Sequence, residues 1–174
     1  MADRQVGETV SNWGTDGWVV RSGAGERVAL GGPHVPEVLL RGRDVAGALG
    51  VFTFDHAVIS ENPPHAHNGF AKIAYVLAGD YEFRVGDATF SGGPGDMVVV
   101  PKGSHHTFTT ATGGKLLFVC SPSGNEEMFL EMGKLGPAAT IEQLKALNER
   151  FDTVGLAGDD ASWRQVQPGR EDGS

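Results

Sequence analysis

A chain of 174 residues with 14 Lys and Arg against 22 Asp and Glu carries a formal charge of −8. It suits one domain of the usual ~100–200 residues, and its acidity argues against nucleic-acid phosphates or anionic lipid as partners. No apolar run nears the roughly 18 residues that cross a bilayer, and the start, Met1-Ala2-Asp3-Arg4-Gln5, lacks a signal peptide's apolar stretch, so a cytoplasmic location without membrane contact is expected.

Residues 1–25 form a polar, glycine-interrupted arm in which Trp18-Val19-Val20 alone resembles a strand. From Arg27 onward, extended segments alternate with turn chemistry: 27–30, 37–40, 50–60, 70–77, 81–85, 88–91, 97–101, 106–111 and 115–121. The separators, such as Gly86-Asp87 and Gly92-Gly93-Pro94-Gly95-Asp96, are hairpin formers, because glycine takes positive φ without a Cβ penalty. Glycine itself reaches 26 residues, about twice ordinary usage. This pattern predicts an all-β sandwich or barrel. After Gly136 the period changes. Thr140 and Gln143 have capping-box spacing, and Ile141, Leu144, Leu147 and Phe151 recur as in one amphipathic helix. The expected organisation is an arm (1–25), a barrel (26–135), a helical segment (136–157) and a polar, mobile tail (158–174).

With a single cysteine, Cys120, the chain has neither an internal disulfide nor a thiolate-rich metal site, so any metal must be held mainly by imidazole. Four of the six histidines fall in two tight clusters, His65/His67 and His105/His106. Residues two apart on a strand share a face, so His65 and His67 form a chelating pair, entered through Pro63-Pro64 after a Ser60-Glu61-Asn62 turn. His105 and His106 point to opposite sides, and spacing alone leaves open which of them joins that pair. His56, alone in its strand, is expected to be structural, and Phe54, Phe83 and Phe108 are core residues or the walls of an aromatic pocket.

Pro64-His65-Ala66-His67 followed by Tyr75-Val76-Leu77-Ala78-Gly79 resembles the first motif of the cupin superfamily. Gly95, Pro101, Gly103 and His106 resemble the second. The helix-bearing segment 126–154 is similar to the tail of single-domain quercetin-2,3-dioxygenase-like cupins. The resemblance implies a cupin jelly-roll barrel with a divalent metal (Fe, Ni, Mn, Cu or Zn) held by His65, His67 and His106, His105 pointing elsewhere. It also implies a homodimer. At the position of the family's glutamate, seven residues before Gly79, stands Lys72. An ammonium has no lone pair and cannot ligate, so a three-histidine site is expected. Lys72, its pKa lowered by burial and the neighbouring cation, is the candidate catalytic base or anion donor. The function implied is a small-molecule dioxygenase acting on a phenol, enol or β-diketone. A zinc-dependent cyclase or isomerase, in which metal and Lys72 divide Lewis-acid and proton-transfer work, is the alternative. So is a non-catalytic ligand-binding barrel.

Overall fold

A computed structural model describes residues 2–3, 17–30, 35–58 and 60–155. The expected tail, His34 and most of the expected arm lie outside the described residues. In chain order the elements are β1 (Ala2–Asp3), β2 (Trp18–Val19), β3 (Glu26–Arg27), β4 (Val35–Leu40), a 3-10 turn (Gly42–Val45), β5 (Gly50–His56), β6 (Ser60–His67), β7 (Ala71–Gly79), β8 (Tyr81–Val85), β9 (Ala88–Gly92), β10 (Met97–Val100), β11 (His106–Thr110), β12 (Gly114–Ser121), α1 (Asn125–Leu135), α2 (Ile141–Arg150) and β13 (Thr153–Gly155).

Two antiparallel sheets carry the fold, a six-stranded one in the order β10-β7-β12-β5-β4-β3 and a five-stranded one in the order β13-β6-β11-β8-β9. This is the expected all-β jelly roll with helical structure at its C-terminal side. Alternation along each strand decides what faces inward. On β7, Lys72, Ala74 and Val76 are buried while Ala71, Tyr75 and Leu77 are exposed; on β11, His106, Phe108 and Thr110 are buried. The inward apolar residues form one cluster that includes Val38, Phe52, Val76, Leu116 and Phe118, and Phe52 stacks on Phe118 at 5.1 Å. Each such side chain removed from water contributes roughly 1.5–3 kcal/mol. Phe54, Phe83 and Phe108 belong to this core.

Several local outcomes differ from the sequence expectation: the strand expected over 50–60 ends at His56, and the segment expected to be helical over 136–157 closes with the strand β13. Residues 60–62 are strand, not turn: β6 begins at Ser60 and pairs with β11 through Thr110↔Ser60, Thr109↔Glu61 and Phe108↔Asn62. The register then shifts before His106↔His65, so Pro63 and Pro64, which cannot donate to a ladder, fall at an irregularity instead of ending the strand. In addition, α1 precedes the expected helix. Its Phe129 packs edge-on against Phe52 and Phe54 at 5.1 and 5.5 Å, and Met128 and Leu130 are buried. The fully buried Glu126 carboxylate accepts from Gly42 N at 3.0 Å and Gly124 N at 2.9 Å, tying α1 to the 3-10 turn. The capping box of α2 forms as its spacing predicts, Gln143 N donating to Thr140 Oγ1 and Thr140 N to Gln143 Oε1. Among the described residues no helix is long and apolar enough to cross a membrane.

Candidate metal centre

The five-stranded sheet brings His65, His67 and His106 together from separate parts of the chain. His65 and His67 project inward from β6, and His106, the first residue of β11, stands opposite His65. The turn before β11 is fixed by Gly103, whose φ of +77° suits glycine and whose N–H donates to the His67 carbonyl at 2.8 Å. One histidine segment is thereby fastened to the other. Ring centroids lie 4.2 Å apart for His65–His106, 4.8 Å for His65–His67 and 5.3 Å for His67–His106. One ligand-capable atom from each of the three rings lies within 4.8 Å of the others. His105 is exposed and does not join them.

Hydrogen bonds on the outer nitrogens set the chemistry of the inner ones. His65 Nδ1 donates to the Pro63 carbonyl at 2.7 Å and His106 Nδ1 to the Ser104 carbonyl at 3.1 Å. His67 Nδ1 donates to Thr153 Oγ1 at 3.1 Å, and that hydroxyl donates onward to the Phe151 carbonyl at 3.2 Å. With Nδ1 carrying the proton, each Nε2 keeps its lone pair, the state a metal ligand requires. Burial holds the rings neutral: desolvation, with the nearby Lys72 charge, lowers His65 to about 3 and His106 to about 2, and pushes His67 down as well.

Does this cluster fit a metal? His106 Nε2 is buried without a hydrogen-bond partner, an orphaned acceptor of the kind a cation satisfies. Three neutral imidazoles suit iron, nickel, manganese, copper or zinc. Among the described residues no carboxylate joins the cluster, and Asp80 and Glu82 are exposed. The residues therefore fit a divalent ion on a three-histidine face.

Lys72 enters from the opposite sheet. It is buried on β7, its Nζ donates to His67 Nε2 at 2.8 Å, and it lies 5.3 Å from the centre of the Phe118 ring. Burial lowers its pKa to about 8. Phe70 stacks on the His67 ring at 4.4 Å, closing that side with apolar surface. Thr153 escaped the sequence reading. It stands across from His67 on the three-residue β13, and nothing in so short a segment signals the pairing.

Residues 54–122 match the family described as Cupin domain. Among solved structures, an RmlC-like cupin from Shewanella frigidimarina is similar at 23% identity and a TM-score of 0.52, over 59% of this chain and 88% of that one. A predicted oxalate decarboxylase from Thermotoga maritima is similar at 23% identity and a TM-score of 0.53, over 60% of this chain and 98% of that one. At such identities the likeness shows the fold alone. No curated protein matches the chain.

Proposed function

We propose, from the premise that the chain carries a cupin domain, that its barrel is a metal-dependent enzyme site for a small molecule presenting an anionic oxygen: a phenolate, an enolate or a β-diketonate. The observation that carries this reading is the set of outward Nδ1 hydrogen bonds, which leaves three Nε2 lone pairs, one of them partnerless, in one buried place. His65, His67 and His106 would hold the ion. When bound, it supplies Lewis acidity and, if redox-active, electrons for reaction with oxygen.

The chain's own residues do the rest. Three neutral imidazoles leave the ion's charge uncompensated, and Lys72 adds a further positive charge, so the pocket favours an anion over its neutral acid. Lys72 would face the substrate's anionic oxygen as a charged donor, and Phe70 and Phe118 would exclude water on the adjoining sides. The reaction we assign is dioxygenation, as in quercetin-dioxygenase-like cupins. A non-redox isomerisation or cyclisation is the second reading, and what favours it is Lys72, a buried amine 2.8 Å from His67 Nε2 whose pKa burial lowers to about 8, so that it can hold or release a proton beside the imidazoles.

Anaerobic loading with each metal in turn, followed by oxygen-uptake measurements with flavonols and β-diketones, separates the two. Oxygen consumption with a redox metal is the expected result. Turnover supported by zinc without oxygen loss would sink dioxygenation in favour of the second reading. Protein from metal-replete medium holding under about a tenth of an equivalent, unchanged in His67→Ala, would reduce the barrel to a ligand-binding module.

A further inference from the structure

Lys72 stands on the electron pair that a metal would need. Its Nζ donates to His67 Nε2 at 2.8 Å, and an imidazole nitrogen has one in-plane lone pair, so this hydrogen bond and a metal bond at His67 exclude one another. An ammonium and a divalent cation also repel at this range, and among the described residues no carboxylate joins the cluster to offset them. For an ion to engage all three imidazoles, Lys72 must leave His67. A buried ammonium without a partner is costly. The face of Phe118, 5.3 Å away, offers part of a replacement, and an anionic oxygen in the pocket would offer the rest.

Resting on the metal-centre reading above, we propose that Lys72 couples the metal to the substrate's anionic group. Without the anion it competes for His67 and keeps metal affinity low; with the anion it is drawn off the imidazole, so that metal and anion bind synergistically. The ligand class this selects is a small carboxylate, phenolate or enolate with an apolar body that suits the phenylalanine walls. Because linkage is reciprocal, the factor by which the anion tightens the metal equals the factor by which the metal tightens the anion. Lys72 is in this sense a specificity-determining residue.

Calorimetric titration of zinc into wild type and Lys72→Met, at one fixed pH with and without millimolar benzoate, tests the coupling directly and needs no turnover. Benzoate is expected to tighten zinc binding by wild type about tenfold. Lys72→Met is expected to bind zinc about tenfold more tightly than wild type without benzoate, and to respond to benzoate by less than about twofold. Zinc affinity in Lys72→Met equal to or below that of wild type would overturn the proposal. So would a wild-type zinc affinity indifferent to benzoate, a measurement that stands even if the variant does not fold. Failure of both proteins to bind zinc under every condition would overturn the metal-centre reading itself, and this inference with it.

Discussion

Two buried histidine neighbourhoods lie in the same barrel, and they differ in how their polar atoms are used. His56, at the end of β5, sits in a box of rings: Phe54 stacks on it at 4.9 Å, Phe108 meets it edge-on at 5.0 Å, and its Nδ1 lies 2.9 Å from the Tyr81 hydroxyl. His65, His67 and His106 are as deeply buried, and Phe70 stacks on the His67 ring. Their Nδ1 atoms are tied to acceptors at the periphery while their other nitrogens converge, one without any partner. Burial and aromatic company are therefore common to a structural histidine and a ligand set. Convergence of lone pairs separates them.

The largest consequence of that difference is in acid. An unfolded imidazole titrates near 6.5, whereas burial keeps His65 neutral to about 3 and His106 to about 2, and lowers His67 as well. Below pH 6.5 the unfolded chain thus binds more protons than the native one, and stability falls as pH falls from there toward 3. The slope is about 1.4 kcal/mol per pH unit for each ring that stays neutral. Urea unfolding of the metal-free protein at pH 7 and pH 5 measures it, and equal stability at the two would break the assignment of neutral imidazoles.

Next in size is a pair of substitutions. His67→Ala is expected to weaken metal binding by at least about 100-fold. His56→Ala is expected to leave metal affinity within about twofold and to cost about 3 kcal/mol of stability through a cavity and a lost hydrogen bond. Calorimetry and denaturant titration on both variants read the two quantities, and a metal defect in His56→Ala would erase the distinction. A smaller effect sharpens it. Thr153→Val removes the acceptor of His67 Nδ1–H and should weaken metal binding about tenfold, with a stability change of about 1 kcal/mol. An unchanged metal affinity would show that the Thr153 hydroxyl does not orient His67.

What the sequence made legible follows from how local each signal is. The strands around β7, β8 and β10 were visible because alternation and glycine turns act over a few residues, and α2 because its capping box and period lie within one segment. α1 was not visible. Its cap is a glycine with no side-chain hydrogen bond, Gly133 interrupts its interior, and Glu126, an acid by type, is fully buried with one of its backbone donors, Gly42 N, 84 residues away. At the site, spacing placed His65 and His67 on one face but could not choose between His105 and His106, because the choice depends on the cross-strand register His106↔His65. Lys72 was legible as an anomaly in a motif. Its contact with His67 was not, since it spans two sheets, and neither was Thr153, whose role exists only through the ladder partnering β13 with β6.

That last ladder gives the two C-terminal helices a stake in the chemistry. Phe151 ends α2, and two residues later the chain is laced onto β6, with Thr153 beside His67. A fragment trimmed to end before α2 would lose β13 from the edge of the five-stranded sheet, and with it the hydroxyl that holds His67 Nδ1. Whatever anchors α2 therefore bears, at one remove, on how firmly His67 would be held toward an ion.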